Sequence, residues 1–404
     1  MKSWPLERVA HIDSHAITAI LQSMAQVELG QQNPFTFSTK TPHEFITMRW
    51  ESLGCTNEIL SAITGQVAAM FHINIAPPSC HEEVGIFARQ IAAMWQETER
   101  PLTFFTSGST GIPKPCTHLE DHARQEITSL APLVEDREAA LVTVPLHHMY
   151  GFIIGLLLPL SLDIPIRNVP PLPTLVDAQM RPKDMVVAIP LLWSRLVEMK
   201  SWQEKHSDAG RDITLITATA PILPEVVHAL RNNAFRMLEL FGTSETGVIC
   251  YRENPNEPYC LVPHVERGTG EHEGTIARLL PGGILKRYPV LDNINWVGER
   301  SLLPGARLDQ AVQVAGVNVY PLHIGSVLEK HEGVQQCLVR LMRPDEGYRL
   351  KAFIVPQPGF DEQVLRKSLM VFARKHLTNP QRPASYTFGK DIPRGLTGKP
   401  TDWA

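Results

Sequence analysis

Hydrophobic and polar positions along the chain fall into three textures. Up to about residue 100, apolar residues recur at helical spacing, as in "VGIFARQIAAMW" from Val84, and predict mostly helices. Two start signals support this: Thr41-Pro42-His43-Glu44 joins a capping box to a proline at the first helical position, and Ser79-Cys80-His81-Glu82 repeats the box. From Leu102 the pattern changes to short apolar runs, "LTFF", "ALVTVP", "MVVAIP", "ITLITATAP" and "FRMLELFG", alternating with helical stretches and polar turns. That alternation predicts a large α/β domain with mainly parallel sheets and flanking helices. After about residue 306, "QAVQVAGVNVYPLHIGSVLEKHEGVQQCLVRLM", "RLKAFIVPQ" and "EQVLRKSLMVFARKHL" read as a small α+β domain.

Composition changes this picture little. With 404 residues the chain is long enough for two or three domains, and 43% hydrophobic with 20% charged residues is ordinary for a soluble globular protein. A net charge of -4 gives no general attraction to nucleic acid or anionic membranes. The most lipid-like run, residues 141–166, is broken by Pro145, His147, His148 and Pro159, so it reads as a buried strand followed by a core helix. No apolar segment of signal-peptide length opens the chain. The six cysteines are scattered, with no C-x-x-C pair, which suits a reducing cytoplasm and small buried side chains rather than structural zinc.

Candidate chemistry begins with "TSGSTGIPKP", Thr106 to Pro115, directly after a predicted strand. Backbone N–H groups of such a loop line up on phosphate oxygens, and Lys114 adds charge. The glycines at 108 and 111 are too close for a Walker loop, and the pattern is not G-x-G-x-x-G. Alone, the stretch could still be a polar turn. Two more polar clusters follow predicted strand ends, "TATAP" and "GTSETG", and ligands of parallel sheets bind at such ends.

Taken with other segments, the loop resembles the phosphate-gripping motif of the adenylate-forming superfamily of acyl- and aryl-CoA ligases, peptide-synthetase adenylation domains and luciferases. "VPLHHMYG" resembles its P-x-x-H-x-x-G, "TATAPI" its G-A-A-P-L, and "LFGTSETG" its Y-G-x-T-E. Asp292 and Arg307 stand fifteen residues apart, like that family's ribose-binding aspartate and the arginine before its hinge. "GVNVYP" resembles the strand after the hinge, and "IPRGLTGKP" the closing P-R-x-x-x-G-K. The motifs follow family order from about residue 100 onward.

The resemblance implies a large adenylation domain over 1–308 and a small mobile lid domain over 309–404, hinged at Asp309. It implies that a carboxylate attacks the α-phosphorus of ATP, and that a thiol then displaces AMP from the acyl-adenylate. Thr106, Ser107, Gly108, Ser109, Thr110, Gly111 and Lys114 would hold the β- and γ-phosphates, with fixed donors meeting the charge that develops there. Glu245 would bind Mg²⁺, a hard ion that takes few protein oxygens beside phosphates. Thr219, Ala220, Phe241, Gly242, Thr243, Ser244, Asp292 and Arg307 would complete the nucleotide site. Phe241 stands where the family usually has tyrosine, keeping the stacking surface and losing the phenol. Asp292 lacks the usual T-G-D setting and reads equally as a surface turn residue. Lys399 would reach the α-phosphate and the carboxylate, and His148 would stand at the mouth of the acyl pocket. His147, Met149, Tyr150, Ala218 and Val248 would form the pocket wall.

The chain is short for that family, and His323 and Gly325 replace usual glutamates while Gln313 and Ala315 stand near usual lysines. Those departures leave two acceptors open, coenzyme A or the phosphopantetheine of an acyl carrier protein. The compact build and "HHMYGF" resemble the short 4-coumarate–CoA ligases that supply the photoactive yellow protein chromophore, and the aryl-acid ligases that load a carrier protein. Histidines and a tyrosine suit a flat aromatic acid with a polar tip, with a histidine or Tyr150 bonding a ring hydroxyl. A nucleotide-binding protein without ligase activity is the alternative of a different class.

Overall fold

The computed structural model describes residues 4–30, 42–106, 114–200, 202, 212–233, 235–290, 292–307, 311–343, 345–393 and 402–403. The chain divides into two compact units, the second comprising Thr106–Lys114, Leu291–Asn293 and Gly305–Ala404.

The first unit opens with helices α1 (Ser14–Gly30), α2 (Pro42–Ile46), α3 (Asn57–Phe71) and α4 (Val84–Gln96). Their apolar faces close on Trp50, Phe71, Phe87 and Trp95, all fully buried, with Phe71 and Trp95 edge to face at 5.4 Å. Thr56 caps α3 by accepting from the Ile59 N–H. The box predicted at Ser79 does not cap α4, which starts after Glu83 with no side-chain cap. The physical reason lies in the backbone: Trp50 and Glu51 donate to Glu82 and Cys80, and Val84 donates to Met48, so this segment is tied sideways before the helix begins. Ser79 Oγ accepts from the His81 N–H instead. Thr41, the start of the other box, lies outside the described residues.

Strands β1 (Pro101–Thr106) and β2 (Lys114–Leu119) pair with each other, and α5 (Glu120–Leu130) follows. The main sheet contains β3 (Ala139–Val142), β4 (Ile166–Asn168), β5 (Asp184–Ala188), β6 (Thr214–Thr217), β7 (Arg236–Thr243), β8 (Gly247–Arg252) and β9 (Tyr259–Leu261). Beside it stands an antiparallel sheet of β10 (Val265–Arg267), β11 (Thr275–Leu279) and β12 (Leu285–Pro289). Strands β13 (Asp292–Trp296) and β14 (Ser301–Arg307) complete the main sheet, in the order β13-β14-β9-β8-β7-β6-β5-β3-β4.

From β4 to β7 every pairing is parallel, and from β7 to β9 every pairing is antiparallel. The sheet is therefore more mixed than the apolar runs suggest. The turn between β7 and β8 is too short for a parallel crossover. In the parallel half, all five residues of β5 and all four of β6 are buried, as a sheet covered on both faces requires. The run after β3 is the expected core helix, wound as a π-helix over Gly151–Leu157, and every one of those residues is buried.

The second unit has a small α+β core. A hairpin of β15 (Val312–Val314) and β16 (Val317–Val319) leads into the helix Pro321–Leu328. Strand β18 (Leu350–Pro356) then pairs antiparallel with β17 (Val334–Leu341) and parallel with β19 (Ser385–Phe388). The helix Glu362–His376, capped by Asp361, turns Leu365, Leu369 and Ala373 inward.

Candidate active site

The carboxyl ends of β3, β5, β6 and β7 carry three of the sequence clusters side by side. After β3 the chain turns through Leu146, His147 and His148 before the core helix. Ser23 on α1 holds this turn: its Oγ accepts from the Leu146 N–H at 2.8 Å and lies 3.1 Å from His147 Nδ1. A hydroxyl with one proton and two lone pairs can hold the Leu146 N–H and the His147 ring together. The rings of His147 and His148 lie 4.6 Å apart. Burial, then the neighbouring His148, pushes the His147 pKa down to about 3. His148 is more open to solvent, and loss of hydration still lowers its pKa.

Tyr150 fixes where this turn lies. Its hydroxyl is within 3.1 Å of the Ala188 carbonyl and 3.0 Å of the Ile216 carbonyl, at the ends of β5 and β6. Its single proton is shared between those backbone acceptors, and burial raises its pKa well above the ordinary value. The sequence suggested that this hydroxyl could donate to a substrate ring; the structure commits that proton to the backbone. Met149 packs with Tyr150 against the main core.

At the end of β6, Thr219 has a φ of 76°, an uncommon conformation for a β-branched residue. Its hydroxyl is buried and has no hydrogen-bond partner among the described residues. Strain and an unpaired hydroxyl at a strand end are the marks of a place where a ligand supplies a contact. Ala218 and Ala220 flank it, half-buried.

The third cluster is a hairpin turn. Thr243 pairs with Gly247 across Ser244, Glu245 and Thr246, and a bulge lies between Phe241 and Gly242. The hydroxyls of Thr243 and Thr246 lie 3.1 Å apart and brace the loop. Phe241 is half-buried, 6.3 Å from the Tyr259 ring. Beneath the turn lies an arrangement with no sequence signature. His118 Nε2 donates to the Ser244 carbonyl at 2.6 Å. Arg278 donates to the Thr246 carbonyl at 2.6 Å and to Glu126 Oε1 at 2.9 Å, and Glu126 Oε2 accepts from the Val248 N–H at 3.2 Å. Glu126 and Arg278 are each 1% exposed. His122, next to this pair, has its pKa pushed down to about 4 by burial, then by Arg278 and His118.

Ser107, Gly108, Ser109, Thr110, Gly111, Asp309 and Lys399 lie outside the described residues. In the second unit, Thr106 closes β1 and Lys114 opens β2, exposed. Asp292 opens β13 and is 9% exposed, which removes the surface-turn reading, and Arg307 closes β14. Among the described residues one group could ligate a metal by proximity, Glu51, Cys80 and His81. It includes His81 Nδ1 2.7 Å from Glu51 Oε2, and none of its residues belongs to the three strand-end clusters.

The donor set at the strand ends fits Mg·ATP: one half-buried carboxylate on a braced turn, an unpaired buried hydroxyl and small residues that leave room beside them. Sequence comparison defines the class. Residues 62–281 match the family model of the AMP-binding enzymes, and residues 323–399 match the C-terminal domain of the same enzymes. The chain belongs to the AMP-binding enzyme family. It is 34% identical over 322 residues to a 4-coumarate–CoA ligase of Halorhodospira halophila, covering 78% of each chain. To a 3,4-dihydroxybenzoate–[aryl-carrier protein] ligase of Bacillus anthracis it is 26% identical over 322 residues, covering 78% of this chain and 75% of the other. Its fold is similar to o-succinylbenzoate CoA synthetase of Bacillus subtilis, with a TM-score of 0.59 at 16% identity over 74% of this chain and 67% of that one.

Proposed function

We propose that the protein is an ATP-dependent acid–thiol ligase that activates an aromatic, hydroxycinnamate-like carboxylic acid and transfers it to coenzyme A. One observation carries this reading: Tyr150 holds the His147–His148 turn over the ends of β5 and β6, beside the strained Thr219 and the Glu245 hairpin. The residues proposed for the acid and the polar groups proposed for the nucleotide thus share one sheet end. The similarity to a 4-coumarate–CoA ligase supports the choice of acid.

In the first half-reaction a carboxylate oxygen attacks the α-phosphorus and the bond to pyrophosphate breaks. The loop Thr106–Lys114 holds the phosphates, Thr219 and Ser244 turn hydroxyls to the nucleotide, Phe241 offers its ring to adenine, and Asp292 accepts from the ribose. Glu245 would hold Mg²⁺, which would offset charge on the phosphates when bound. Loss of hydration favours the uncharged form of His148, and the carboxylate's charge is met by Lys399. In the second half-reaction the thiol sulfur attacks the acyl carbon, its proton is lost, and AMP departs with the carboxyl oxygen. Rotation at Asp309, between domains 1–308 and 309–404, exchanges Lys399 for the thiol-binding face. Six free cysteines support a cytoplasmic location.

A second reading, with a carrier-protein phosphopantetheine as acceptor, is favoured by His323 and Gly325 and by the similarity to an aryl-carrier ligase. Parallel assays with free coenzyme A and with a phosphopantetheinylated carrier separate the two. Rapid 4-coumaroyl-CoA formation supports the first; thioester found on the carrier alone overturns it.

A further inference from the structure

We propose that the buried pair Glu126–Arg278 is a positioning device for the Glu245 turn and sets how tightly the enzyme takes up a divalent ion with ATP. This rests on Glu245 as the ion's ligand, as argued above. The observations concern how completely the turn is held. The carbonyls on both sides of Glu245 are engaged, Ser244 by His118 and Thr246 by Arg278. One residue beyond the turn's closing glycine, the Val248 N–H is held by Glu126.

Arg278 is used to its limit. Its five N–H groups go to Gln125, Glu126, His122 and Thr246, so one guanidinium ties helix α5 to the turn. The turn and the pair are also shaped to each other. Gly247 has a φ of +71°, and a Cβ there would lie 1.9 Å from Glu126 Oε1. The backbone on either side of Glu245 therefore cannot tilt without straining these bonds, of which the one from Arg278 is charge-assisted in a dry site.

A merely structural ion pair predicts something different. Replacing a buried pair's partner destabilises the fold, with no reason for metal affinity to change in the folded fraction. Mg²⁺ instead demands near-ideal octahedral geometry, so a displaced carboxylate weakens it selectively. Groups that orient a metal ligand are worth about 10- to 100-fold in affinity.

The test is Mn²⁺ binding by electron paramagnetic resonance, in the presence of a non-hydrolysable ATP analogue, with thermal unfolding measured alongside. Glu126→Gln and His118→Ala loosen the turn from opposite sides, and the second leaves the Glu126–Arg278 ion pair in place. Each folded variant is expected to lose about 10- to 100-fold in Mn²⁺ affinity, while analogue binding in EDTA is unchanged. Should Glu126→Gln not fold, Arg278→Lys, which keeps the buried charge and gives up the fork of bonds, takes its place. Wild-type Mn²⁺ affinity in a folded variant overturns the positioning role when Glu245→Gln weakens binding. Wild-type affinity in Glu245→Gln overturns the reading of Glu245 itself, and the proposal with it.

Discussion

Tyr150 donates its phenolic proton toward the carbonyl of Ile216, 3.0 Å away, sharing it with the Ala188 carbonyl at 3.1 Å. A tyrosine thus joins the histidine turn to two parallel strands. Tyr150→Phe is expected to lower stability by about 1–2 kcal/mol in urea unfolding. The ratio of rates with 4-coumarate and with cinnamate should stay as in the wild type. A collapse of that ratio would show that the hydroxyl reads the substrate after all.

Acid sensitivity should come from buried neutral histidines. Against an ordinary value of 6.5, His147 and His264 are depressed to about 3 and His122 to about 4. Below pH 6.5 the unfolded chain takes up protons that the folded one refuses, so stability is full above that pH and falls as pH drops toward 3–4. His264→Gln, which replaces a ring bonded through Nδ1 to the Ser129 hydroxyl at 3.1 Å, should flatten the dependence of Tm on pH between 4 and 6.5. An unchanged slope would remove His264 from the account.

Gly247→Ala should be costly for two separate reasons. The residue has φ +71° and its Cβ would overlap Glu126. A loss of at least about 2 kcal/mol is expected. Gly270→Ala is the control, with φ +61° and nothing within 4 Å. It should lose only about 1 kcal/mol. Equal losses in chemical denaturation would mean that the contact with Glu126 does not matter.

The two half-reactions should separate by mutation. Lys399→Ala is expected to abolish ATP–pyrophosphate exchange yet still convert supplied acyl-adenylate to thioester. Asp309→Pro should do the opposite. Loss of both halves in either variant would contradict a lysine confined to the first step and a hinge needed for the second.

The sequence carried the nucleotide motifs because each is short and local, and the comparisons bear out the family and the fold. Apolar runs such as "FRMLELFG" marked strands but not their partners' direction. A buried strand presents the same residues to either neighbour, and only the short turn after Thr243 makes β8 antiparallel. Ser79 had the right residues for a cap, yet backbone bonds to the segment around Trp50 took its place. The ties that hold the site were least legible. Ser23 meets His147 across 124 positions and Glu126 meets Arg278 across 152, separations at which no spacing rule operates. Nor does a tyrosine in "HHMYG" announce that its proton belongs to the backbone.

The central claim is that this sheet end activates an aromatic acid at the expense of ATP. Acid-dependent ATP–pyrophosphate exchange across a panel of aromatic and aliphatic carboxylates measures that step alone. The account predicts exchange with 4-coumarate and related hydroxycinnamates, stronger than with alkyl acids. Bound ATP with no exchange for any acid of the panel would contradict it and leave a nucleotide-binding protein without ligase activity.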